Sequence, residues 1–141
     1  MPNNIDDFNS GVAHILGKLY ENFPKEIDLN FNDFAIKDSY QDGAIQRENI
    51  ERHNDLYEIY FNTGRFLLAE GYIRGKKVEG KTTIAECALT TKGLVALQRV
   101  PDSIQGKQRS VGDFLLDLGK DGLKTATKEA LSAAVRAIFN G

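Results

Sequence analysis

The hydrophobic period of the chain changes at Gly71, and this change restricts the fold more than any other feature of the sequence. Before Gly71, apolar residues recur at helical spacing. After it, residues 72–78 and 82–89 form two runs that suit β-strands, and the turn sequence Glu79-Gly80-Lys81 separates them. We therefore expect a helix that ends at Gly71, followed by a two-stranded hairpin.

A helix is predicted on each side of this hairpin. The one before it starts at Gln46 and allows a break near His53 and Asn54, because asparagine is a good N-cap. The one after it starts at a threonine, Thr90 or Thr91, whose hydroxyl can cap the first turn. The apolar residues that support these two helices are Ile50, Leu56, Ile59, Tyr60, Thr63, Phe66 and Leu67 before the hairpin, and Leu94, Leu97 and Val100 after it.

The N-terminal residues give the clearest helical pattern. Asn4 and Asp7 can cap the start of this helix, and Pro24 ends it. His14 falls outside the apolar stripe, so we expect it to be exposed rather than a ligand or a base. The residues of the stripe are Ile5, Phe8, Val12, Ile15, Leu16, Leu19, Tyr20 and Phe23. Between this helix and residue 44, the pattern indicates only a short strand at 27–29 and a turn of helix at 32–36.

The C-terminal part of the chain is predicted to be a helical extension, residues 110–141, joined by a linker over residues 101–109. Ser110 and Asp113 make a capping pair. Its apolar residues lie on two faces about 170° apart, which fits one long helix or two short ones. The extension packs either on its own domain or on a second copy, as a homodimer. In the second case, the association surface would contain Leu115, Leu118, Gly122, Leu131, Val135 and Ile138.

Charge and composition argue against several functional classes. The formal net charge is −2, whereas a domain built to bind polyanions in general carries a basic excess. The single cysteine, Cys87, cannot form an intramolecular disulfide, and its place in a β-pattern predicts a small buried side chain. Without a secretion signal or a run of about 18 apolar residues, we expect a cytoplasmic protein with no membrane partner. Without a catalytic, phosphate-binding or metal-ligand motif, we expect neither an enzyme nor a cofactor.

The hairpin region resembles the winged-helix superfamily. "LLAEGYI" precedes the hairpin and "ALTTKGLVAL" follows it, and Leu89, Thr90 and Gly93 match the Leu-Thr-x-x-Gly turn that closes many bacterial and phage wings. The resemblance implies that residues 1–100 form a winged helix-turn-helix domain, with a first strand and a second helix between Pro24 and Gln46. The expected fold is therefore mainly α with a small β-hairpin (α+β), followed by the C-terminal helical extension.

The same resemblance implies a small transcriptional regulator that binds double-stranded DNA as a dimer. Residues 55–70 would occupy the recognition-helix position, with Asn62 and Arg65 as base readers. The exposed positions of this helix also include Asp55, Glu58 and Glu70. Carboxylates at these positions would oppose the release of counterions that supports binding to phosphates.

The predicted hairpin carries the positive charge that this helix lacks. The cations expected to contact phosphates are Arg74, Lys76, Lys77 and Lys81, and Glu79 is the single acid among them. Lysines on exposed strands also discourage pairing with other strands. Two functions therefore stay open. One is a DNA-binding regulator, and the other is a non-enzymatic winged-helix module that associates with itself or with a protein partner and does not bind DNA.

Overall fold

Six helices and three strands lie within the part of the chain that the computed structural model describes, residues 4–39, 47–101, 109–121 and 128–140. In chain order they are α1 (Asn4–Asn22), β1 (Ile27–Asn30), α2 (Phe31–Ser39), α3 (Arg47–Ala69), β2 (Ile73–Lys77), β3 (Thr83–Leu89), α4 (Thr91–Gln98), α5 (Val111–Asp121) and α6 (Lys128–Phe139). The strands form one antiparallel sheet in the order β1-β3-β2. The molecule is mainly helical with a small sheet, and the expected α+β class is confirmed.

The segment after Pro24 contributes the strand and the helix that its sequence predicts. Asn30 caps α2, because its Oδ1 accepts hydrogen bonds from the amides of Asn32 and Asp33, at 3.0 and 3.3 Å. β1 pairs with β3, so the hairpin is part of a three-stranded sheet. The sequence did not predict this pairing, because a four-residue strand carries no local signal for its partner.

α3 is one uninterrupted helix, and the break expected near His53 and Asn54 is wrong. Arg52 donates two hydrogen bonds to the carboxylate of Asp7 in α1. The Nε2 atom of His53 lies 2.7 Å from Oδ1 of Asn32 in α2. Because these contacts hold the turn against two neighbouring helices, Asn54 stays inside the helix as an exposed residue instead of starting a new one.

The hairpin and its flanks follow the predicted turns. Gly71 and Gly80 have φ of 81° and 76°, which glycine adopts without strain. Thr90 caps α4, since its Oγ1 accepts a hydrogen bond from the Gly93 amide at 3.1 Å. A Cβ on Gly93 would lie 2.1 Å from the carbonyl oxygen of Tyr72. Thr90 therefore caps α4, and Gly93 allows two backbone segments to approach each other closely.

The C-terminal segment forms two helices that pack on the same chain. Ser110 caps α5 as expected, because its Oγ accepts a hydrogen bond from the Asp113 amide at 3.1 Å. α5 and α6 both contact α1 and α4. The expected association residues that the structure describes are all buried here, namely Leu115, Leu118, Leu131, Val135 and Ile138. Contacts with other helices of the same chain cover these side chains, so they do not form a free surface for a second copy. Gly122 and linker residues 102–108 lie outside the described residues.

Arg99 connects the C-terminal helices to the end of α4. Its Nη1 donates hydrogen bonds to the carbonyl oxygens of Ala137 and Ile138, at 2.9 and 2.8 Å. Its own carbonyl accepts a hydrogen bond from the amide of Val111 at 2.9 Å. A cation at the carbonyl end of a helix satisfies free acceptors and interacts favourably with the helix dipole. α6 is therefore held at its C-terminal end by the residue that caps the end of α4.

The degree of burial of two single residues, Cys87 and His14, was predicted from the sequence. Cys87 is buried as expected, and burial, with the nearby Asp28 carboxylate, raises the pKa of its thiol to about 12. His14 was expected to be exposed, and this is wrong, because only 14% of its side chain is accessible. Its ring stacks on Phe34 of α2 at 4.9 Å, and its Nε2 lies 2.8 Å from Oδ2 of Asp38. The apolar stripe of α1 gave no indication that α2 covers this second side of the helix.

Candidate interaction face formed by α3 and the hairpin

The tip of the hairpin, residues 77–82, is attached to the middle of α3. The hydroxyl groups of Tyr57 in α3 and Thr82 in the tip form a hydrogen bond. The ring of His53, one turn earlier, meets the ring of Tyr57 edge to face at 5.9 Å. The hairpin tip and α3 therefore present one joint face to solvent.

An acidic stripe runs along the first half of α3 beside this contact. Residues three and four apart on a helix lie on the same side. The residues of this face, called the α3 stripe below, are Ile50, Glu51, Asn54, Asp55 and Glu58, and all are exposed. Ile50 is 43% accessible, which is high for a large apolar side chain. Neither Asp55 nor Glu58 belongs to any ion pair of the described residues.

Asn62 and Arg65, the expected base readers, are exposed and lie farther along α3 from the hairpin contact at Tyr57 than Asp55 and Glu58 do. At 1.5 Å and 100° per residue, Asn62 is about 7.5 Å farther along the helix than Tyr57 and about 140° around it. The Asn62 amide donates to the carbonyl oxygen of Glu58 at 2.9 Å and accepts from Arg65 at 3.3 Å. The Arg65 guanidinium also sits 6.0 Å from the centre of the Phe61 ring. Both side chains thus have partners within α3.

The end of α6 flanks α3 on the side of Arg65. The ring of Phe139 contacts three other rings, at 6.1 Å from Phe8, 6.0 Å from Phe66 and 5.1 Å from Tyr72. Phe66 is the residue after Arg65, so the C-terminal end of α6 lies next to the C-terminal part of the expected recognition helix. The second half of α3 therefore carries the exposed Asn62 and Arg65 next to the end of α6, and the first half carries the α3 stripe.

Two of the four hairpin cations are paired with acids. Arg74 is 2.6 Å from Glu26, and Lys76 is 3.2 Å from Glu86 in β3. Lys77 and Lys81 are exposed and belong to no ion pair of the described part of the chain. Glu79, at the turn, is also exposed. The positive charge that the sequence suggested for the hairpin is therefore reduced to these two lysines, with one acid between them.

The acids that neutralise the hairpin were missed by sequence reasoning. Glu86 has φ of 54°, and the pairing of β3 shifts on both of its sides at this point, as in a β-bulge. The carboxylate of Asp28 accepts a hydrogen bond from the Glu86 amide at 3.0 Å and supports this backbone geometry. Hairpin alternation could have suggested a contact between Lys76 and Glu86. The pair of Arg74 and Glu26 depends on the position of β1, and no local pattern reveals it.

A polar network between α1, α2 and α3 was also missed. The Asp38 carboxylate accepts hydrogen bonds from Tyr60 and His14. Burial raises the pKa of Asp38, but the hydrogen bonds and the charge of His14, together with Tyr60, outweigh it and hold this pKa below the usual value of 3.8. Burial and the Asp38 charge raise the pKa of Tyr60 well above its usual range. The phenol therefore stays a proton donor, and the network joins helices rather than activating a nucleophile.

No group of three or more histidine, cysteine, aspartate or glutamate residues within the described ranges is arranged to hold a metal ion. Over the same residues, every helix is too short or too polar to cross a bilayer. A comparison with protein-family models, with curated proteins and with solved structures finds no match for this chain.

Proposed function

We propose that the chain is a non-enzymatic protein-interaction module with a winged-helix arrangement, and that the α3 stripe with the adjoining hairpin tip is its binding face. The observation that carries this proposal is the position of the hairpin tip. It meets α3 at Tyr57, at the level of Asp55 and Glu58 along the helix axis, whereas Asn62 and Arg65 lie about 7.5 and 12 Å farther along. A basic protein surface fits such a face better than a nucleic acid does.

The charges of this face oppose contact with a duplex. A helix in the major groove lies within a few ångströms of phosphates, and the stripe would bring Glu51, Asp55 and Glu58 there. Ion pairs already neutralise Arg74 and Lys76. A phosphate contact would have to compete with Glu26 and Glu86 for these two cations, which weakens the counterion release that supports DNA binding.

The composition of the face agrees with protein recognition. Protein interfaces combine an apolar centre with a polar rim, and aromatic residues are enriched in them. Ile50 supplies exposed apolar area, Tyr57 supplies an aromatic ring, and the carboxylates of Asp55 and Glu58 supply acceptors for lysine or arginine.

A second candidate is a DNA-binding regulator, and the element order supports it. The order α1-β1-α2-α3-β2-β3 places α3 directly before the hairpin and contains the first strand and second helix that the winged-helix resemblance requires. In that case Lys77 and Lys81 at the hairpin would contact phosphates, and Asn62 and Arg65 would have to leave their partners within α3 to reach bases.

Fluorescence anisotropy at low salt separates the two functions. One probe is a labelled helical peptide with lysines on one face, and the other is a labelled duplex of random sequence. We expect the peptide to bind, and the double variant Asp55→Asn/Glu58→Gln to bind it at least fivefold more weakly. The matched control, Asp33→Asn/Glu129→Gln, removes two exposed acids elsewhere and should bind like the wild type. Duplex binding that disappears in Lys77→Glu/Lys81→Glu would instead establish the DNA-binding candidate.

A further inference from the structure

We propose that the partner of the α3 stripe is a second copy of this chain, and that the hairpin tip of each copy binds the α3 stripe of the other across a two-fold axis. This inference rests on the proposed function and identifies the partner. The tip offers Lys77 and Lys81, and the stripe offers Asp55 and Glu58. One molecule thus carries both halves of a complementary pair.

The two halves adjoin each other on one face. The hydrogen bond between Tyr57 and Thr82 joins the tip to α3, and Lys81 is the residue before Thr82. Glu58 follows Tyr57 in the chain, about 100° around the helix toward solvent. The tip lysines and the Glu58 carboxylate therefore lie on neighbouring parts of the surface, and Ile50 and Glu58 are both exposed.

Two-fold symmetry turns this arrangement into a closed contact. In a two-fold dimer the same patch is used by both copies, so residue i meets residue j and residue j meets residue i. An axis between the tip and the stripe would bring the tip of each copy to the stripe of the other, with two equal sets of charge contacts. Ile50 of both copies would be available to lose its exposed apolar area near the axis.

The remaining charges near the face agree with this pairing. Glu79 lies between the two tip lysines in sequence and reduces their effect, while Arg74 and Lys76 are held by Glu26 and Glu86. On the stripe side, Arg52 is occupied by Asp7 of α1. The proposed contact therefore involves few charged groups. We expect the dimer to depend strongly on ionic strength, since the screening length falls from about 30 Å at 0.01 M to about 3 Å at 1 M salt.

Sedimentation velocity on the full chain with charge-reversal variants tests the proposal. The tip variant is Lys77→Glu/Lys81→Glu, and the stripe variant is Asp55→Lys/Glu58→Lys. Each variant alone brings like charges together in the dimer and should be monomeric at low salt. An equimolar mixture restores both contacts, because the reversed tip meets the reversed stripe and the original tip meets the original stripe. We expect the mixture to form a heterodimer and the wild type to form a dimer that dissociates at high salt.

A control variant, Lys37→Glu/Arg136→Glu, reverses two exposed cations away from the face and should dimerise like the wild type. Circular dichroism checks that each variant is folded, and the single changes Lys81→Glu and Glu58→Lys replace any double variant that is not. A wild type that is monomeric at low salt, or a mixture that stays monomeric, overturns the proposal. A monomer that still binds the lysine peptide through Asp55 and Glu58 would overturn the self-association alone and leave the proposed function standing.

Discussion

The guanidinium of Arg52 in α3 holds the carboxylate of Asp7 in α1 through two hydrogen bonds, at 2.7 and 3.0 Å. The Asp7 side chain is almost fully buried, whereas a third of Arg52 is accessible. Paired groups of this kind position helices, and the loss of one partner leaves the other without compensation for its desolvation.

We expect Asp7→Asn to lower the free energy of unfolding by about 1–2 kcal/mol. The value is smaller than the 3–5 kcal/mol of a fully buried pair, because Arg52 can recover contact with water. Urea unfolding at pH 7 measures it. Glu21→Gln, which removes an exposed charge from the same helix, should change stability by less than about 0.5 kcal/mol. An equal effect of both changes would show that the pair with Arg52 contributes nothing specific.

Two glycines should respond in opposite directions to alanine. A methyl group on Gly93 would lie 2.1 Å from the Tyr72 carbonyl oxygen. This oxygen belongs to backbone, which cannot easily move away. We expect Gly93→Ala to cost about 3 kcal/mol or more, as an overpacked and distorted site does. Gly119 in α5 has nothing within 4 Å of its Cβ position. Gly119→Ala should therefore stabilise the protein by up to about 1 kcal/mol through helix propensity. Thermal unfolding of the two variants side by side compares them, and destabilisation by Gly119→Ala would contradict the open environment.

Removal of the Arg99 guanidinium should loosen α6 before the rest of the molecule. Arg99→Met keeps most of the aliphatic stem but leaves the carbonyls of Ala137 and Ile138 without this donor. The expected loss is about 1.5–3 kcal/mol, typical of hydrogen bonds from a charged group. Hydrogen exchange followed by mass spectrometry should show faster exchange in α6 than in α3. Arg136→Met, at an exposed position of α6, serves as the control. Uniform acceleration in all helices would mean that α6 does not open separately.

Asp38 should make stability depend on pH in the acidic range. Its pKa in the folded protein is lower than in the unfolded chain, so the unfolded chain binds more protons near pH 4. The stabilisation is therefore complete above the usual pKa of 3.8 and is lost as the pH falls through the lower, folded value. We expect Asp38→Asn to be less stable than the wild type at pH 6, with a difference that shrinks below pH 4. Urea unfolding from about pH 6 to pH 2 measures the two curves. Asp33→Asn, exposed on the same helix, is the control, and a difference that is constant over this range would contradict the assignment.

Local patterns in the sequence predicted the parts of the structure that depend on neighbouring residues. The end of α3 at Gly71, the turn at Gly80 and the caps at Thr90 and Ser110 require only a few consecutive residues, and the structure contains all of them. The change from helical to strand spacing, which separates α3 from β2, likewise depends only on neighbouring residues. Backbone sterics and capping act over one turn, so a single sequence carries this information.

Contacts between distant segments were not predicted from the sequence. These contacts determine which residues in and near the candidate site are covered or paired. His14 is covered because α2 returns to α1 through Asp38, and Arg74 is paired because β1 lies beside β3. No local pattern of residues indicates either of these contacts. The burial of Leu131 and Val135 likewise required knowledge of which helix they would meet. Charges counted along the chain therefore overstated how basic the hairpin is.

The packing of α1 has a consequence for the order in which the protein can fold. α1 is synthesised before the other described helices, and part of its buried face is covered by α5 and α6, about 90 or more positions later in the chain. A nascent chain that ends before α5 would hold Gly17 and Tyr20 without their neighbours Leu115 and Gly112. Contacts over such long separations slow folding, because the loop that joins them must close first. The core is therefore completed only after translation has passed α6, and until then α1 presents apolar surface of the kind that chaperones cover during synthesis.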